Sequence, residues 1–223
     1  MNGGFQANQI QIRLDDGARP ARPRGAISLQ RLAHKVPKQA GKEFKQARRE
    51  REHDRFAQAE RHYVKALELD PQFLEGANDL GALYYGLGRF PDALRVIEQA
   101  QAIDNNSPIV LSNLAAALMA LQRPLEAERF ARRAFALDPA QLRVRYLYAL
   151  SRAASNRADG EVRAMLLEVA DAIPRAYLAL ANLYTIEGNR AEARLAVERY
   201  LAATKPPPGA LRNEAEGWLN ALR

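Results

Sequence analysis

Cysteine is absent from the 223 residues, so neither a disulfide nor a thiolate metal site can form. Histidine occurs three times and tryptophan once. No run of eighteen or more apolar residues occurs, which excludes a helix that spans a membrane. The glycine and proline counts, 13 and 12, are close to average use, so the chain as a whole is not of low complexity.

A secretory signal is not recognisable either. The first residues, MNGGFQANQIQIRL, have no basic segment followed by an apolar one, which is the pattern of such a signal. The sequence therefore predicts a cytoplasmic protein, or a periplasmic or exported one if the chain is a processed form.

Residue patterns for catalysis are also missing. His34, His53 and His62 are not accompanied by an HExxH pattern or by carboxylates at metal-ligand spacing. There is no phosphate-binding GxxxxGK[ST] loop, and the serines lie in helical stripes rather than in a nucleophile elbow. We therefore expect no enzymatic activity, no metal, no cofactor and no small-molecule substrate.

What the chain does contain is Ala, Leu, Arg and Glu in abundance, all of which favour helices. It also repeats itself. Ala66, Ala100 and Ala134 are separated by 34 residues, and a second alanine series has the same spacing. Such a period indicates a solenoid of helical repeats, in which no unit can bury its apolar face alone. The second series consists of Ala59, Ala93 and Ala127.

Each unit reads as two helices joined by a turn. Between residues 77 and 84 the apolar and small side chains recur at helical spacing, a break follows at Gly86-Leu87-Gly88, and a second apolar stripe runs from Ala93 to Ala100. Asp70-Pro71 and Asp138-Pro139 end units, because the residue before a proline is disfavoured in a helix.

This pattern of small and bulky residues resembles the tetratricopeptide repeat. The resemblance implies an all-α, right-handed superhelical solenoid of helix-turn-helix repeats, about five in number, over residues 37–205. Glu50 departs from the pattern where a bulky apolar residue is usual, and the fourth unit is two residues short. The lead-in VPKQA is similar to that of some bacterial envelope-associated repeat proteins. The expected units are 40–73, 74–107, 108–141, 142–173 and 174–205.

The two ends of the chain differ from the repeats. Residues 209–222 form an apolar stripe that includes Trp218 and predict a helix capping the last repeat. Residues 1–36 are basic and mostly irregular, with a weak strand signal at 9–14 and a short helix signal at 28–33. We expect this segment to form an N-terminal arm.

The resemblance also implies a function, because the first helices of such repeats line a concave groove that binds other polypeptides. Asparagine can hydrogen-bond a peptide backbone, tyrosine offers rigid contact area, and arginine favours acidic groups. Family members that grip a terminal carboxylate do so with lysines, and lysine is missing from the matching positions here. The residues mapped to the groove are Asn78, Tyr85, Ser112, Asn113, Ala116, Met119, Arg143, Tyr146, Arg175 and Asn182.

The net charge of +7 leaves an alternative open. Residues 1–55 carry 13 Lys and Arg against 6 Asp and Glu, and the remaining residues carry 20 of each sign. The excess therefore belongs to the N-terminal quarter, which could dock on nucleic acid or on an anionic membrane. We expect a protein-interaction scaffold, either a monomer or a weak homo-oligomer, with this anion-docking module as the alternative.

Overall fold

The computed structural model describes residues 34–203 and 210–222. Within these ranges the chain forms eleven α-helices and no β-strand, which confirms the predicted all-α solenoid of helix-turn-helix repeats. The predicted strand at 9–14 and helix at 28–33 lie outside the described residues. The helices are α1 (Lys38–Glu52), α2 (Phe56–Leu69), α3 (Leu74–Gly86), α4 (Phe90–Ile103), α5 (Pro108–Ala120), α6 (Pro124–Leu137), α7 (Leu142–Ala154), α8 (Gly160–Val169), α9 (Arg175–Ile186), α10 (Arg190–Ala203) and α11 (Ala210–Ala221).

The turn inside each helix pair has the same construction throughout. One residue adopts positive φ, and the N–H of the next residue donates to a carbonyl five residues back, as Arg89 does to Tyr84 at 2.9 Å. This geometry satisfies a carbonyl that the end of the first helix leaves unpaired. The positive-φ residues are Asp54, Gly88, Gln122, Asn156 and Gly188.

The first two turns between repeats are each organised by an aspartate. Asp70 and Asp104 cap α2 and α4, are only 4% and 3% exposed, and accept hydrogen bonds from backbone N–H groups two residues ahead. An aspartate can close a turn in this way because its side chain mimics a backbone acceptor. Asp70 also contacts the His34 ring at 2.8 Å, which fixes the lead-in against the first repeat.

The repeated alanines form the contacts between helices. The residues of both 34-residue series are fully buried. Small side chains at these positions let neighbouring helices approach closely, while larger residues such as Tyr63, Ile97 and Leu114 fill the spaces between them. One main core therefore runs from the first repeat to the last.

Two repeats that depart from the pattern, the first and the fourth, are stabilised by polar contacts of their own. In the first, Glu50 is 8% exposed and its carboxylate pairs with Arg55 and accepts a hydrogen bond from Gln46. In the fourth, α8 has ten residues, and Asp159 caps its start by accepting from the N–H of Val162 at 3.0 Å.

At the C-terminal end, α11 packs on α10. Ala215 is fully buried and Trp218 is 6% exposed, and both belong to the main core. Trp218 therefore attaches the last helix to the final repeat, as its helical spacing predicted. Across the described segments, we find no helix with the length and apolar character that crossing a membrane demands.

Candidate functional site

The first helices of successive repeats define one continuous surface, which we call the inner surface. α3 packs on α5, α5 on α7 and α7 on α9. Within the described part of the chain, pairs of second helices do not pack to a comparable extent. Closer packing on one side bends a stack of repeats toward that side. The predicted groove residues all lie on these four helices.

A row of hydrogen bonds crosses three of the four helices. The Asn113 amide on α5 donates to Asn78 Oδ1 on α3 at 2.7 Å, and Arg143 on α7 donates to Asn113 Oδ1 at 2.7 Å. Each amide retains further donor or acceptor capacity, because an asparagine side chain can take part in up to four hydrogen bonds. The row gives the inner surface a polar stripe across the direction of the helices.

Half of the ten predicted residues lie beneath the surface rather than on it. Ser112 and Ala116 are fully buried, and Tyr146 is 1% exposed. The Ser112 hydroxyl donates to the carbonyl of Ile109 within its own helix, so its polar group is already satisfied. The buried members are Tyr85, Ser112, Asn113, Ala116 and Tyr146.

The other five predicted residues are half-buried and are the ones that a ligand could touch directly. Asn78, Met119 and Arg143 lie on the middle helices, and Arg175 and Asn182 lie on α9. Direct contact with a ligand is therefore confined to these side chains, and the buried set supports them from below.

Tyr146 and Arg175 each have a buried polar atom without a hydrogen-bond partner. These atoms are the Tyr146 hydroxyl and Arg175 Nη1. Burial raises the pKa of the Tyr146 hydroxyl, and the nearby charge of Arg175 acts in the opposite direction. A buried donor without an acceptor costs about 1–3 kcal/mol, so this corner of the inner surface is less well satisfied than the rest.

An acidic group marks the other end of the surface. Burial raises the pKa of the Asp79 carboxyl on α3, while Arg51 and Arg48 on α1 act to lower it. Asp79 also accepts a long hydrogen bond of 3.4 Å from Asn78. Arg48 and Arg51 occupy the positions of the first repeat that correspond to the inner surface, so repeat spacing could have identified them. The predicted groove did not include this repeat, because its first helix is unusually charged.

Two of the three histidines pair with carboxylates within the fold. His34 contacts Asp70, and His62 contacts Glu43 at 2.6 Å. His62 is half-buried in an ion-pair cluster between α1 and α2. In the ranges 34–203 and 210–222, no three or more His, Asp or Glu residues are grouped to hold a metal ion.

A shallow, open depression lies elsewhere, along α2. Its lining includes Ala57, Arg61 and Val64 and contains no residue of the inner surface. It belongs to a single helix and brings together no set of interacting polar groups, so we do not regard it as the functional site.

Comparison with known proteins agrees with this architecture. Residues 50–118 match the family model for the tetratricopeptide repeat. No match was found among characterised protein sequences.

Solved structures of similar fold include PilW, a type IV pilus biogenesis factor, with a TM-score of 0.67 and 20% identity over 83% of this chain and 90% of that one. MamA has a TM-score of 0.61 and 20% identity over 77% and 98%. YrrB, described as a TPR protein with an unusual peptide-binding site, has a TM-score of 0.58 and 20% identity over 78% and 90%. At these identities the likeness is one of fold.

Proposed function

Because the chain carries tetratricopeptide repeats, we propose that it is a non-enzymatic scaffold that binds an extended segment of another polypeptide along its inner surface. The observation that carries this proposal is the polar row of Asn78, Asn113 and Arg143, which joins three successive first helices. A surface that crosses several repeats suits an extended chain, whose backbone needs hydrogen-bonding partners at regular intervals.

The partial exposure of side chains on the inner surface also supports an extended polypeptide as the ligand. Met119 on α5 and Asn182 on α9 are half-exposed on the inner surface, so apolar contact and amide hydrogen bonding are both available on one surface. Among proteins of similar fold, YrrB is described as having a peptide-binding site, which makes a peptide ligand a reasonable expectation for this chain as well.

The proposal can be tested by selecting peptides from a displayed random library on the purified full-length chain. Asn182→Trp adds bulk to the inner surface, and we expect it to weaken the selected peptides by about tenfold, which is about 1.4 kcal/mol. Leu125→Trp is the control, because Leu125 is 59% exposed on α6, away from the inner surface. Circular dichroism checks that both variants remain folded.

Equal loss in both variants, or no loss in either, would contradict binding on the inner surface. Failure of the library to yield any peptide above background would contradict the peptide ligand itself.

The basic N-terminal quarter favours the second candidate, docking on nucleic acid or on an anionic membrane. Deleting residues 1–33 removes much of the charge excess and keeps His34, whose ring contacts Asp70. If docking depends on phosphates, affinity for duplex DNA or anionic vesicles falls steeply with salt and disappears with the deletion. If peptide binding survives the deletion unchanged, the scaffold function belongs to the repeats.

A further inference from the structure

We propose that the outer face of α6 docks the solenoid on an anionic lipid surface. This face lies on a second helix, away from the inner surface, so docking here is distinct from the proposed peptide binding. It is formed by exposed residues that recur at helical spacing, and we call it the α6 stripe. Its members are Leu125, Arg129, Arg132, Arg133 and Ala136.

The α6 stripe differs in charge from the same helix positions of α2, α4 and α10. Three of its five residues are arginines and none is acidic. The equivalent positions of the other three helices include one glutamate each, namely Glu68, Glu98 and Glu198. Because residues 56–223 carry as many acidic as basic residues, the excess of cations is a local property of α6.

The contacts around the stripe leave two of its arginines without a carboxylate of their own. Glu126 is held by two hydrogen bonds from Arg123, and Arg129 acts on it through charge alone. Arg133 donates to a neutral group, the backbone carbonyl of Asn105. Arg129 and Arg133 lie four residues apart on one helix face, so both guanidinium groups can reach the same anionic surface.

The third arginine of the stripe shares its carboxylate with another arginine. Glu128 accepts hydrogen bonds from both Arg132 and Arg157. Its own side chain is enclosed, whereas the two arginines are exposed. Two cations against one carboxylate leave a net positive charge here, which adds to that of Arg129 and Arg133. A local concentration of positive charge attracts an anionic surface.

Leu125 favours a lipid surface over a nucleic acid as the anionic partner. It is 59% exposed and lies one turn before Arg129 on the same face. The phosphates of a nucleic acid make no use of an apolar side chain, whereas a bilayer takes one up at the boundary between headgroups and acyl chains. Arginine suits the same boundary, because its apolar stem stays in the interface while the guanidinium binds lipid phosphate.

Docking through the α6 stripe leaves the inner surface free. The inner surface is formed by first helices, whereas the stripe lies on a second helix. The basic N-terminal quarter is separate from the stripe in sequence. One chain can therefore rest on a lipid surface through α6 and hold a peptide on its inner surface at the same time.

The test measures sedimentation of the full chain with vesicles of phosphatidylcholine alone or of phosphatidylcholine and phosphatidylglycerol in equal parts. Arg129→Glu reverses one charge of the stripe. Arg95→Glu is the matched control, because Arg95 is exposed at the same position of α4 but has Asp92 and Glu98 nearby. We expect binding to the anionic vesicles only, a loss of about tenfold or more in Arg129→Glu, and a change of less than about twofold in Arg95→Glu.

A second pair of variants separates a lipid surface from a nucleic acid. Leu125→Gln removes the exposed apolar side chain without changing the charge, and Leu195→Gln is the control, because Leu195 is an exposed leucine on α10. We expect Leu125→Gln to weaken binding to the anionic vesicles by about threefold and Leu195→Gln to leave it unchanged. Duplex DNA is measured in the same buffer, and circular dichroism checks that all four variants remain folded.

Three results would overturn the inference. If the full chain does not bind anionic vesicles more tightly than neutral ones, no lipid docking exists. If Arg129→Glu and Arg95→Glu lose affinity equally, the docking face is not the α6 stripe. If Leu125→Gln binds vesicles as Leu195→Gln does, while duplex DNA binds more tightly than vesicles and loses affinity in Arg129→Glu, the stripe belongs to a nucleic-acid interface.

Discussion

In the core of the second repeat, Gly81 has no side chain, and this leaves room for the large side chain of Ile97, which faces it. A Cβ at position 81 would lie 2.3 Å from Cγ1 of Ile97, well inside contact distance. In the third repeat the corresponding pair is Ala115 and Ala131, both fully buried. The space between the two helices is therefore filled by Ile97 facing Gly81 in the second repeat and by two facing alanines in the third, as close packing requires.

This pairing predicts a coupled effect. Gly81→Ala gains about 1 kcal/mol of helix propensity, but we expect a net destabilisation of about 1–2 kcal/mol because the new methyl group overpacks the core. Combining it with Ile97→Ala recreates the pair of the third repeat, so the double variant should be more stable than the sum of the single changes by about 1 kcal/mol or more. Urea denaturation of the four proteins measures the coupling, and strict additivity would show that these side chains do not compete for space.

At the same scale, the candidate site was only partly predictable. Repeat register places Asn78, Asn113 and Arg143 on successive first helices, and the structure joins them in one row. Register could not reveal that Tyr146 and Ser112 are enclosed, because exposure depends on how far neighbouring helices lean over a position. Nor could it show that Arg175 lacks an acceptor, since that depends on every group within reach.

Between elements, an arginine in the turn before a second helix reaches back to the preceding repeat in two places. Arg89 donates to Glu60 at 2.9 Å, and Arg157 donates to Glu128 at 3.1 Å. Both pairs are 29 residues apart, and each arginine directly follows a positive-φ turn residue. The identical turns thus position a cation to tie adjacent repeats together.

The tie to Glu128 has a further consequence, because that carboxylate is 1% exposed. Burial acts to raise the pKa of Glu128, but hydrogen bonds from Arg132 and Arg157 outweigh it and hold the pKa below the ordinary value of 4.5. The ionised form is therefore favoured in the folded protein. Its contribution to stability is present above the ordinary pKa and is lost as the pH falls through the lower, folded-state value.

We therefore expect Arg157→Ala to destabilise the protein at neutral pH by about 1–3 kcal/mol, since a buried charge loses one of its two arginine partners. The difference from the wild type should shrink as the pH falls below 4.5 and Glu128 becomes protonated. Denaturation at a series of pH values measures this. Arg129→Ala, which changes an exposed residue on the helix that carries Glu128, serves as the control. A stability difference between Arg157→Ala and the wild type that stays constant with pH would contradict the role given to Glu128.

For the whole molecule, stability is distributed along the solenoid. Each repeat contacts its neighbours, so the free energy of folding is close to a sum of repeat terms and interface terms. The end repeats have one neighbour fewer, and α11 covers the last of them through Ala215 and Trp218. Loss of the contacts between α11 and the last repeat should destabilise the adjacent helices before it destabilises the whole solenoid.

Trp218→Ala tests this expectation. Removing a buried aromatic side chain costs about 3–5 kcal/mol, and we expect the loss to appear as faster amide hydrogen exchange in α9, α10 and α11. Protection in α3 to α6 should change little, because those helices do not contact the cap. Uniformly faster exchange along the chain would indicate one cooperative unit instead of a stack of separable repeats.

By itself, the sequence determined the class of fold and its period, because alanines spaced by 34 residues can pack closely only in a regular stack of helix pairs. The tertiary structure decided what the inner surface offers a ligand. Burial, the partners of each charge and the orientation of the helix ends depend on groups distant in sequence. The unpaired Arg175 and the enclosed Tyr146 hydroxyl result from those long-range contacts, and the repeat pattern alone carries no information about them.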